Sequence, residues 1–419
     1  IFLLPTIKTP RFPQEPNSGT GCGVNTLKKL VRLAVVTYYP AEVNQIQGGV
    51  ESVTIALIKG LKELASFDIH VVSPAPPGRQ GSEQRDGVTI HWINSCNLPG
   101  FIRYWTTERY AIHRCLRKIR PDITHFQGVL GWALGYRKPY VVTIHGIAEK
   151  DALFTTAPFP KMRYAIISRI EKIVRKKAPH VIVINPYVLT ELAGQIGGQP
   201  WHIENPVDGE FFDTRRAVDD KRILYVGRII PLKNIIGLIE SFNYLLKKIP
   251  NATLYLTGGN DVKQYLAECQ KKVNDYGIAS SVFFLGNIKH NELPKILATA
   301  NCLVLLSHQE NAPMAIAEAM AAGVPVVASN ICGIPYMIES GATGFLVDPN
   351  DSSRAAAALE QILGNNNLAE TMSAKCRDVA ETRFHYRSVA HRTKAVYESA
   401  MGLTPGTETS PMEVADHVE

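Results

Sequence analysis

Two glutamates separated by seven residues, Glu310 and Glu318, have the spacing and surroundings of a site for a hydroxyl-rich ligand. Glu310 follows a short apolar run, and Glu318 lies inside an otherwise apolar stretch. Pro313 suits the first turn of a helix, and Gly323 suits its end. Because apolar runs with strand character lie on both sides, this stretch predicts a strand–helix–strand unit of a parallel sheet.

The predicted unit places both carboxylates near one crevice. Ligands of parallel sheets bind beyond the carboxyl ends of the strands, where helix N-termini offer free amides. Glu310 is predicted at that edge, and Glu318 one to two turns into the helix, where an unpaired carboxylate would be costly. Together they would bind the hydroxyls of a sugar or ribose. The alternative is that Glu318 is a capped or salt-bridged core residue and Glu310 an exposed loop acid.

Further motifs follow the two glutamates. They are the stretch AEAMAAGVPVVAS that contains Glu318, then Gly333-Ile334-Pro335, Glu339-Ser340-Gly341 and Gly344-Phe345-Leu346-Val347. With the E-x7-E spacing, they resemble the C-terminal signature of the retaining nucleotide-sugar glycosyltransferases of family 4, the glycosyl transferases group 1. The resemblance covers about residues 31 to 400. It implies an α/β chain with the GT-B fold, in which two doubly wound Rossmann-like domains face a central cleft.

Alternating strand and helix patterns form two series along the chain. The first predicts strands at 31–37, 68–73, 123–126, 140–144 and 180–184, with a helix at 50–65 after the first strand. The second predicts strands at 222–227, 252–257, 282–285, 302–306 and 324–328. We therefore expect two domains, at 31–205 and 206–383, with the hinge near Asn205; the resemblance makes the first the acceptor-side domain and the second the nucleotide-sugar-binding domain. The resemblance implies a helix at 384–401 that crosses back to the first domain, while 1–30 is predicted to be irregular and 402–419 a disordered tail.

Two cations at the start of the second series suit a diphosphate. Arg228 closes the first strand of the series, and Lys233 follows near the next helix; beside free helix amides, such a pair can hold phosphates. Without further motifs, Arg228 and Lys233 could equally be solvated residues at a strand end. The resemblance assigns the donor diphosphate to Arg228 and Lys233, although this chain has Asn234 where the family commonly has Gly. It also places Gly258 beside the nucleotide and Ile288 in the segment whose backbone reads the base.

The resemblance gives roles to residues on both sides of the cleft. Gly48 and Gly49 would approach the donor phosphates and the acceptor, since glycine admits close backbone contact. His145 would contact the donor sugar. Glu310 would bind sugar hydroxyls and stabilise the cationic transition state, and Glu318 would hold the ribose. Taken alone, the glycine pair could be an ordinary turn and His145 a structural residue.

The residues after the first glutamate depart from the family pattern. The backbone amides of this segment touch the donor sugar in the family, which assigns substrate contacts to Asn311, Ala312, Pro313 and Met314. Gly and a bulky apolar residue are common where this chain has Asn311-Ala312-Pro313. Since Pro313 has no amide hydrogen, the identity of the donor sugar stays open.

Charge is shared unevenly between the two series. Residues 1–204 hold 25 Lys and Arg against 14 Asp and Glu, whereas residues 205–419 hold 20 against 24. Much of the excess lies on two predicted helices whose cations are Arg103, Arg109, Arg114, Arg117, Lys118 and Arg120 in one, and Lys161, Arg163, Arg169, Lys172, Arg175, Lys176 and Lys177 in the other. These cations indicate a solvated face, or contact with an anionic membrane surface or a phosphorylated acceptor. Nucleic acid is not expected as a partner, since no known nucleic-acid module accompanies the charge.

Composition and length fit a soluble globular protein of two domains. The chain of 419 residues is 45% hydrophobic and 20% charged, which is typical of globular proteins of this size. No apolar run approaches the ~18 residues that span a bilayer. Seven cysteines without a C-x-x-C pair predict reduced thiols and a cytoplasmic location, peripheral on the inner face of the membrane if the acceptor is lipid-linked.

Three functions compete. The first is a retaining, metal-independent glycosyltransferase with a nucleoside-diphosphate sugar as co-substrate, no other cofactor, and a glycan, lipid-linked or small-molecule acceptor, acting in surface polysaccharide or glycoconjugate synthesis. The second is a GT-B nucleotide-sugar epimerase, and the third is a non-catalytic nucleotide-sugar-binding protein. The E-x7-E spacing and the Arg/Lys pair favour the transferase. No D-x-D motif or metal-ligand cluster is present in the sequence.

Overall fold

The structure, a computed structural model, describes residues 30–42, 46, 48–76, 78–94, 103–147, 160–218, 221–259 and 262–403. Nearly all of the predicted irregular segment 1–30 and of the predicted tail 402–419 lies outside these residues.

An eight-stranded sheet forms the first half of the chain, with strand order β3-β4-β2-β1-β5-β6-β7-β8. Neighbouring strands are parallel except β3 and β4, which form an antiparallel pair. The order reverses at β1, so the crevice for ligands lies at its carboxyl end. The strands are β1 Val31–Val36, β2 Phe67–Pro74, β3 Gly81–Arg85, β4 Val88–Ile93, β5 Ile123–Gln127, β6 Tyr140–Ile144, β7 His180–Val183 and β8 Gln199–His202.

Helices cover both faces of this sheet. They are α1 Gly49–Glu63, α2 Arg109–Ile119, α3 Pro160–Lys177 and α4 Pro186–Glu191. Helix α2 buries Ile112, Leu116 and Ile119, whose spacing gives one apolar stripe, and it shares its core with α3 and α4. Helix α1 packs on the opposite face.

A six-stranded parallel sheet forms the second half, with order β11-β10-β9-β12-β13-β14. Its strands are β9 Arg222–Val226, β10 Thr253–Thr257, β11 Val282–Gly286, β12 Cys302–Leu305, β13 Val326–Ser329 and β14 Gly344–Val347. The helices are α5 Gly209–Phe212, α6 Ile235–Leu246, α7 Lys263–Asp275, α8 Leu293–Thr299, α9 Met314–Ala321, α10 Ser352–Gly364 and α11 Asn366–Arg383. Strands β12 and β13 are buried throughout, as in sheets covered on both faces.

The last helix, α12 Tyr386–Ala400, returns to the first sheet and packs on α1. A side chain at Gly60 of α1 would place its Cβ 2.7 Å from Ala390 Cβ and from Tyr386 O, so only glycine permits this close approach. At the far end of α12, the Tyr397 hydroxyl lies 2.7 Å from His125 Nδ1 in the sheet.

The chain passes between the two halves twice, and the two passages lie side by side. Val207 N donates to Phe384 O at 2.7 Å, and Tyr386 N donates to Val207 O at 3.2 Å. Beside them, the buried carboxylate of Glu204 accepts hydrogen bonds from Arg383 and Arg392. Burial would raise the pKa of Glu204, but the charges of Arg392, His202 and Arg383 lower it to about 2.

The predicted fold class, two parallel α/β domains, is confirmed. Strands β3, β4, β8 and β14 were absent from the prediction, and β3 is polar and mostly exposed, so it lacks the apolar run that marks a strand. One part of the charge prediction is wrong. Arg175 does not share the solvated face of α3, because its side chain is 1% exposed and donates to Gln195 Oε1 at 3.0 Å.

Candidate active site

Glu310 lies in the loop between β12 and α9, at the carboxyl edge of the second sheet. Its Oε1 accepts hydrogen bonds from Ser307 Oγ at 2.9 Å and from Lys233 Nζ. The side chain is 11% exposed. Within the described chain its Oε2 has no hydrogen-bond partner. The protein thus holds one oxygen of this carboxylate through Ser307 and Lys233.

The loop of Glu310 rests on Gly333, whose amide donates to Glu310 O at 3.1 Å. A Cβ at Gly333 would lie 1.7 Å from Asn311 O, so the contact requires glycine. Helix α9 begins after Pro313, which is its extended N-cap residue. The sequence predicted Pro313 in the first turn of this helix, whereas it lies directly before that turn.

Lys233 ends a 3-10 turn, Pro231–Lys233, that follows β9. Asn234, next in the chain, has φ +52° and caps α6 by accepting a hydrogen bond from Gly237 N at 3.2 Å. Asn adopts this left-handed conformation more readily than most residues. This explains how Asn234 can stand where the family pattern has glycine, and Lys233 keeps its place at the cleft.

Arg228 is exposed at the same edge, one residue beyond the bend at Gly227. The nearby Gly258 follows β10 and has φ +141°, and a Cβ there would lie 1.9 Å from Gly227 O. The two strand ends therefore touch through backbone.

Gly258 N donates in turn to Gly286 O at the end of β11, and Ile288 follows two residues later. Ile288 follows β11 and Glu310 follows β12, and since β10 and β9 lie between these two strands, the strands are about 14 Å apart across the sheet, a span suited to an extended nucleotide sugar.

Glu318 lies in the second turn of α9 with only 5% of its side chain exposed. Its Oε1 is 3.1 Å from His290 Nε2, so this acid is paired, as the alternative interpretation of the sequence expected. Its Oε2 has no hydrogen-bond partner in the part of the chain that the structure describes. Paired at one oxygen, Glu318 can still bind a ligand with the other.

Residues of the first half face this edge across a cleft. Gly49 lies opposite Met314, since a Cβ at Gly49 would be 3.4 Å from Met314 Cγ. Gly48 is the extended N-cap of α1. Asn311 Nδ2 donates to His145 O at 3.0 Å. The segment from Glu310 to Met314 therefore contacts the first half at both its glycine pair and the end of β6.

His145 follows β6, as predicted, and its imidazole is enclosed. Burial lowers the pKa of His145 to about 4, with the Asn205 side chain opposing the shift, so the ring is neutral at physiological pH. The buried atoms His145 Nε2 and Asn205 Oδ1 have no hydrogen-bond partner among the described residues. Asn205 also lines a small cavity with Ala312 and Met314.

Four residues of the site were not predicted as site residues from the sequence, namely Asn185, Asn205, His290 and Ser307. Asn185 caps α4 and also donates to Asn311 O and Gly333 O across the cleft. Asn205 had been named only as a hinge residue. An Asn-Pro pair before a helix could have identified Asn185 as a cap, but no local pattern shows which residues lie across the cleft.

In the described part of the chain, no cluster of three or more His, Cys, Asp or Glu could hold a metal ion. None of the described helices is long and apolar enough to cross a membrane. The described cysteines Cys115, Cys269, Cys302, Cys332 and Cys376 are free thiols.

Two facing parallel sheets, with a cationic and acidic edge opposite a glycine pair, define a GT-B glycosyltransferase. Comparison with protein families agrees: residues 47–211 match the model for Glycosyltransferase Family 4, and residues 207–379 match the model for Glycosyl transferases group 1. The chain belongs to this glycosyltransferase family.

Curated relatives align over most of the chain. An uncharacterized glycosyltransferase of Methanocaldococcus jannaschii is 29% identical over 406 residues, covering 89% of this chain and 99% of its own length. The D-inositol 3-phosphate glycosyltransferase of Corynebacterium kroppenstedtii is 28% identical over 414 residues, covering 89% and 91%. The glycogen synthase of Mycobacterium tuberculosis is 27% identical over 297 residues, covering 68% and 70%.

Solved structures share the fold. The sucrose-phosphate synthase of Thermosynechococcus elongatus superposes with a TM-score of 0.75 at 21% identity, covering 89% of this chain and 99% of that one. HepE of Anabaena, solved in complex with UDP and glucose, has a TM-score of 0.68 at 16% identity, covering 88% and 99%. The GT-B fold predicted from the sequence is therefore confirmed.

Proposed function

We propose that this chain is a retaining glycosyltransferase that moves a sugar from a nucleoside-diphosphate sugar to a hydroxyl group of its acceptor. The observation that carries the proposal is the position of Glu310. Its carboxylate is held by Ser307 and Lys233 with one oxygen free, in a segment that contacts both His145 and Gly49 of the other half. A structural neighbour bound to UDP and glucose supports the donor class.

The charges of the site match those that develop during transfer. When the bond from the sugar to the diphosphate breaks, the sugar becomes cationic and the diphosphate gains negative charge. Glu310 would stabilise the sugar cation, while Lys233 and Arg228 would stabilise the leaving group, the kind of electrostatic term that dominates such catalysis. The acceptor hydroxyl would attack from the face that the diphosphate leaves and give its proton to a diphosphate oxygen, so that configuration is retained.

The same cations would take the place of a metal ion at the diphosphate. Lys233 forms an ion pair with Glu310, and in the proposed complex it would be shared between that carboxylate and the phosphate. Arg228 is exposed at the cleft, where a diphosphate could replace water around its guanidinium. We therefore propose transfer without an obligatory metal.

Donor use is the first test. We expect one of UDP-, GDP- or ADP-sugars to raise the melting temperature, because ligands that bind the folded state stabilise it, and to be hydrolysed slowly. Lys233→Ala should raise the Kd for the free nucleoside diphosphate about tenfold or more, since a charged hydrogen bond contributes about 1.5–3 kcal/mol. Lys271→Ala, at an exposed lysine of α7, is the matched control. No binding of any nucleotide sugar, or equal affinity in both variants, would contradict the proposal.

We propose further that the acceptor lies at an anionic membrane surface, as expected for a lipid-linked glycan in surface polysaccharide or glycoconjugate synthesis. Support comes from helix α3. Its solvent-facing side alternates apolar and basic residues at helical spacing, namely Met162, Ile166, Arg169, Lys172, Ile173 and Lys176, all of them exposed. Apolar side chains between cations are typical of helices that lie on membranes.

Binding to vesicles tests this surface. The protein should bind phosphatidylglycerol vesicles at low salt, bind phosphatidylcholine vesicles little, and dissociate as salt screens the charges within ~10 Å at 0.1 M. Replacing Arg169, Lys172 and Lys176 by Ser should weaken binding without changing donor hydrolysis. The same change of charge at three exposed lysines of the second half, Lys248, Lys263 and Lys295, should have little effect. Equal loss of vesicle binding in both variants would show that net charge alone is responsible, and would refute the assignment of the membrane-binding surface to α3.

A further inference from the structure

One histidine connects the buried carboxylate of the second half to a helix of the first. His290 stands at the start of a 3-10 turn, His290–Glu292, between β11 and α8. Its Nε2 is 3.1 Å from Glu318 Oε1 and 3.1 Å from Ser52 Oγ of α1. Phe211 packs edge-on against the ring, with centroids 5.4 Å apart. The imidazole is therefore fixed from three sides.

The hydrogen-bond chemistry of this contact has one consistent arrangement when Glu318 is ionised. A carboxylate can only accept, so Nε2 must carry the hydrogen. Ser52 Oγ then serves as a second acceptor at the same distance, and its own hydroxyl hydrogen is free to rotate elsewhere. Glu318 keeps Oε2 for a ligand, in the direction set by the bond at Oε1.

We propose that His290 is a positioning residue for nucleotide binding: it orients the Glu318 carboxylate toward the ribose hydroxyls and, through Ser52, links an occupied ribose site to closure of the cleft. The role of His290 in orienting Glu318 toward a ribose rests on the proposed function. The link between the two halves rests on the observed contacts alone, since His290 touches both halves of the molecule. A carboxylate whose orientation is fixed by a neighbouring hydrogen bond binds its ligand with less loss of freedom.

The charges around His290 make the link depend on pH. Burial acts to lower the pKa of His290, but the hydrogen bond and charge of Glu318, with the charges of Asp208 and Glu210, outweigh it, and the pKa is raised. Lys59 of α1 faces Asp208 at 2.8 Å and offsets part of this negative charge. A raised pKa means that the positive charge of His290 strengthens these contacts fully at acid pH, and that this contribution is lost as pH rises through the pKa of His290.

Replacements of His290 separate positioning from mere packing. His290→Leu removes the donor, whereas His290→Gln keeps an N–H donor and cannot titrate. The Kd for free UDP, GDP and ADP would be measured by calorimetry at about pH 6 and about pH 8.5, on either side of the ordinary histidine range. Comparison at each pH cancels the titration of the nucleotide itself. His391→Leu, at an exposed histidine of α12, is the matched control.

We expect His290→Leu to raise the Kd of the tightest-binding nucleotide about tenfold at acid pH. His290→Gln, which keeps a donor, should retain most of the wild-type affinity. The advantage of the wild type over His290→Gln should shrink at alkaline pH. Nucleotide binding by the wild type with equal affinity in His290→Leu would overturn the positioning role. Absence of nucleotide binding in the wild type would instead refute the proposed function, and the ribose role with it.

Ser52 provides a test that needs no ligand. Small-angle scattering of the free protein should show a smaller radius of gyration at acid than at alkaline pH in the wild type. Ser52→Ala and His290→Leu should both reduce this difference, whereas His391→Leu should keep it. A radius independent of pH in the wild type, or one whose pH dependence survives both variants, would overturn the link between the two halves.

Discussion

Replacing Glu204 by Gln should loosen the junction between the two halves of the molecule. The Glu204 side chain is 9% exposed and hydrogen-bonded to Arg383 Nε at 3.0 Å and Arg392 Nη1 at 2.6 Å. Glutamine is nearly the same size and can accept one of these bonds. It cannot balance two guanidinium charges, and an uncompensated buried charge is costly.

The magnitude follows from the pKa of this carboxyl. The pKa of Glu204 falls from 4.5 to about 2, which corresponds to about 3 kcal/mol at neutral pH, since one pKa unit is worth about 1.36 kcal/mol. Because the folded pKa is lowered, this stability is present above pH 4.5 and is lost as pH falls toward 2. At about pH 3.5 roughly 1.4 kcal/mol of it should already be lost.

Urea unfolding followed by circular dichroism measures the effect. The free energy of unfolding of Glu204→Gln should be about 2–3 kcal/mol below that of the wild type at pH 7, and the difference should narrow at about pH 3.5. Glu370→Gln, at an exposed position of α11, should change stability by less than about 0.5 kcal/mol. A difference below that value for Glu204→Gln at pH 7, or one that does not change with pH, would refute the reasoning.

Three further predictions concern the cleft and the returning helix. Glu310→Gln should lower kcat about 100-fold or more while changing the Kd of free nucleoside diphosphate little, whereas Glu318→Gln should raise that Kd about tenfold; similar behaviour of the two variants in calorimetry and steady-state assays would refute this division of roles. Transfer should survive EDTA because Arg228 and Lys233 are proposed to neutralise the diphosphate, and complete loss that Mg²⁺ restores would contradict it. Gly60→Ala should lower the free energy of unfolding by about 1–3 kcal/mol, since its Cβ would meet α12 at 2.7 Å; an unchanged urea midpoint would show that α12 can move away.

Much of the fold could be predicted from local patterns. The inner strands of both sheets are buried on two faces, so they appear in the sequence as short apolar runs, and β6 was predicted with its observed bounds, Tyr140–Ile144. Strand β3 could not be predicted in this way, because its residues Gly81–Arg85 are polar and it is a strand only through pairing with β4. Arg175 shows the same limit for charge, since only the packing of α3 decides which of its cations are buried.

For the candidate site, too, some features could be predicted from the sequence and others depend on the tertiary structure. Glu310, Lys233 and Arg228 follow strands β12 and β9, the paired glycines begin the helix after β1, and such segments after parallel strands reach the ligand edge wherever the strand lies in the sheet. Their positions were therefore determined by the sequence. The partners of these residues were not: Ser52 and His290 are 238 residues apart, and Glu204 meets Arg383 across 179. Such contacts depend on how two separately folded sheets face each other, which no local spacing of residues encodes and only the tertiary structure decides.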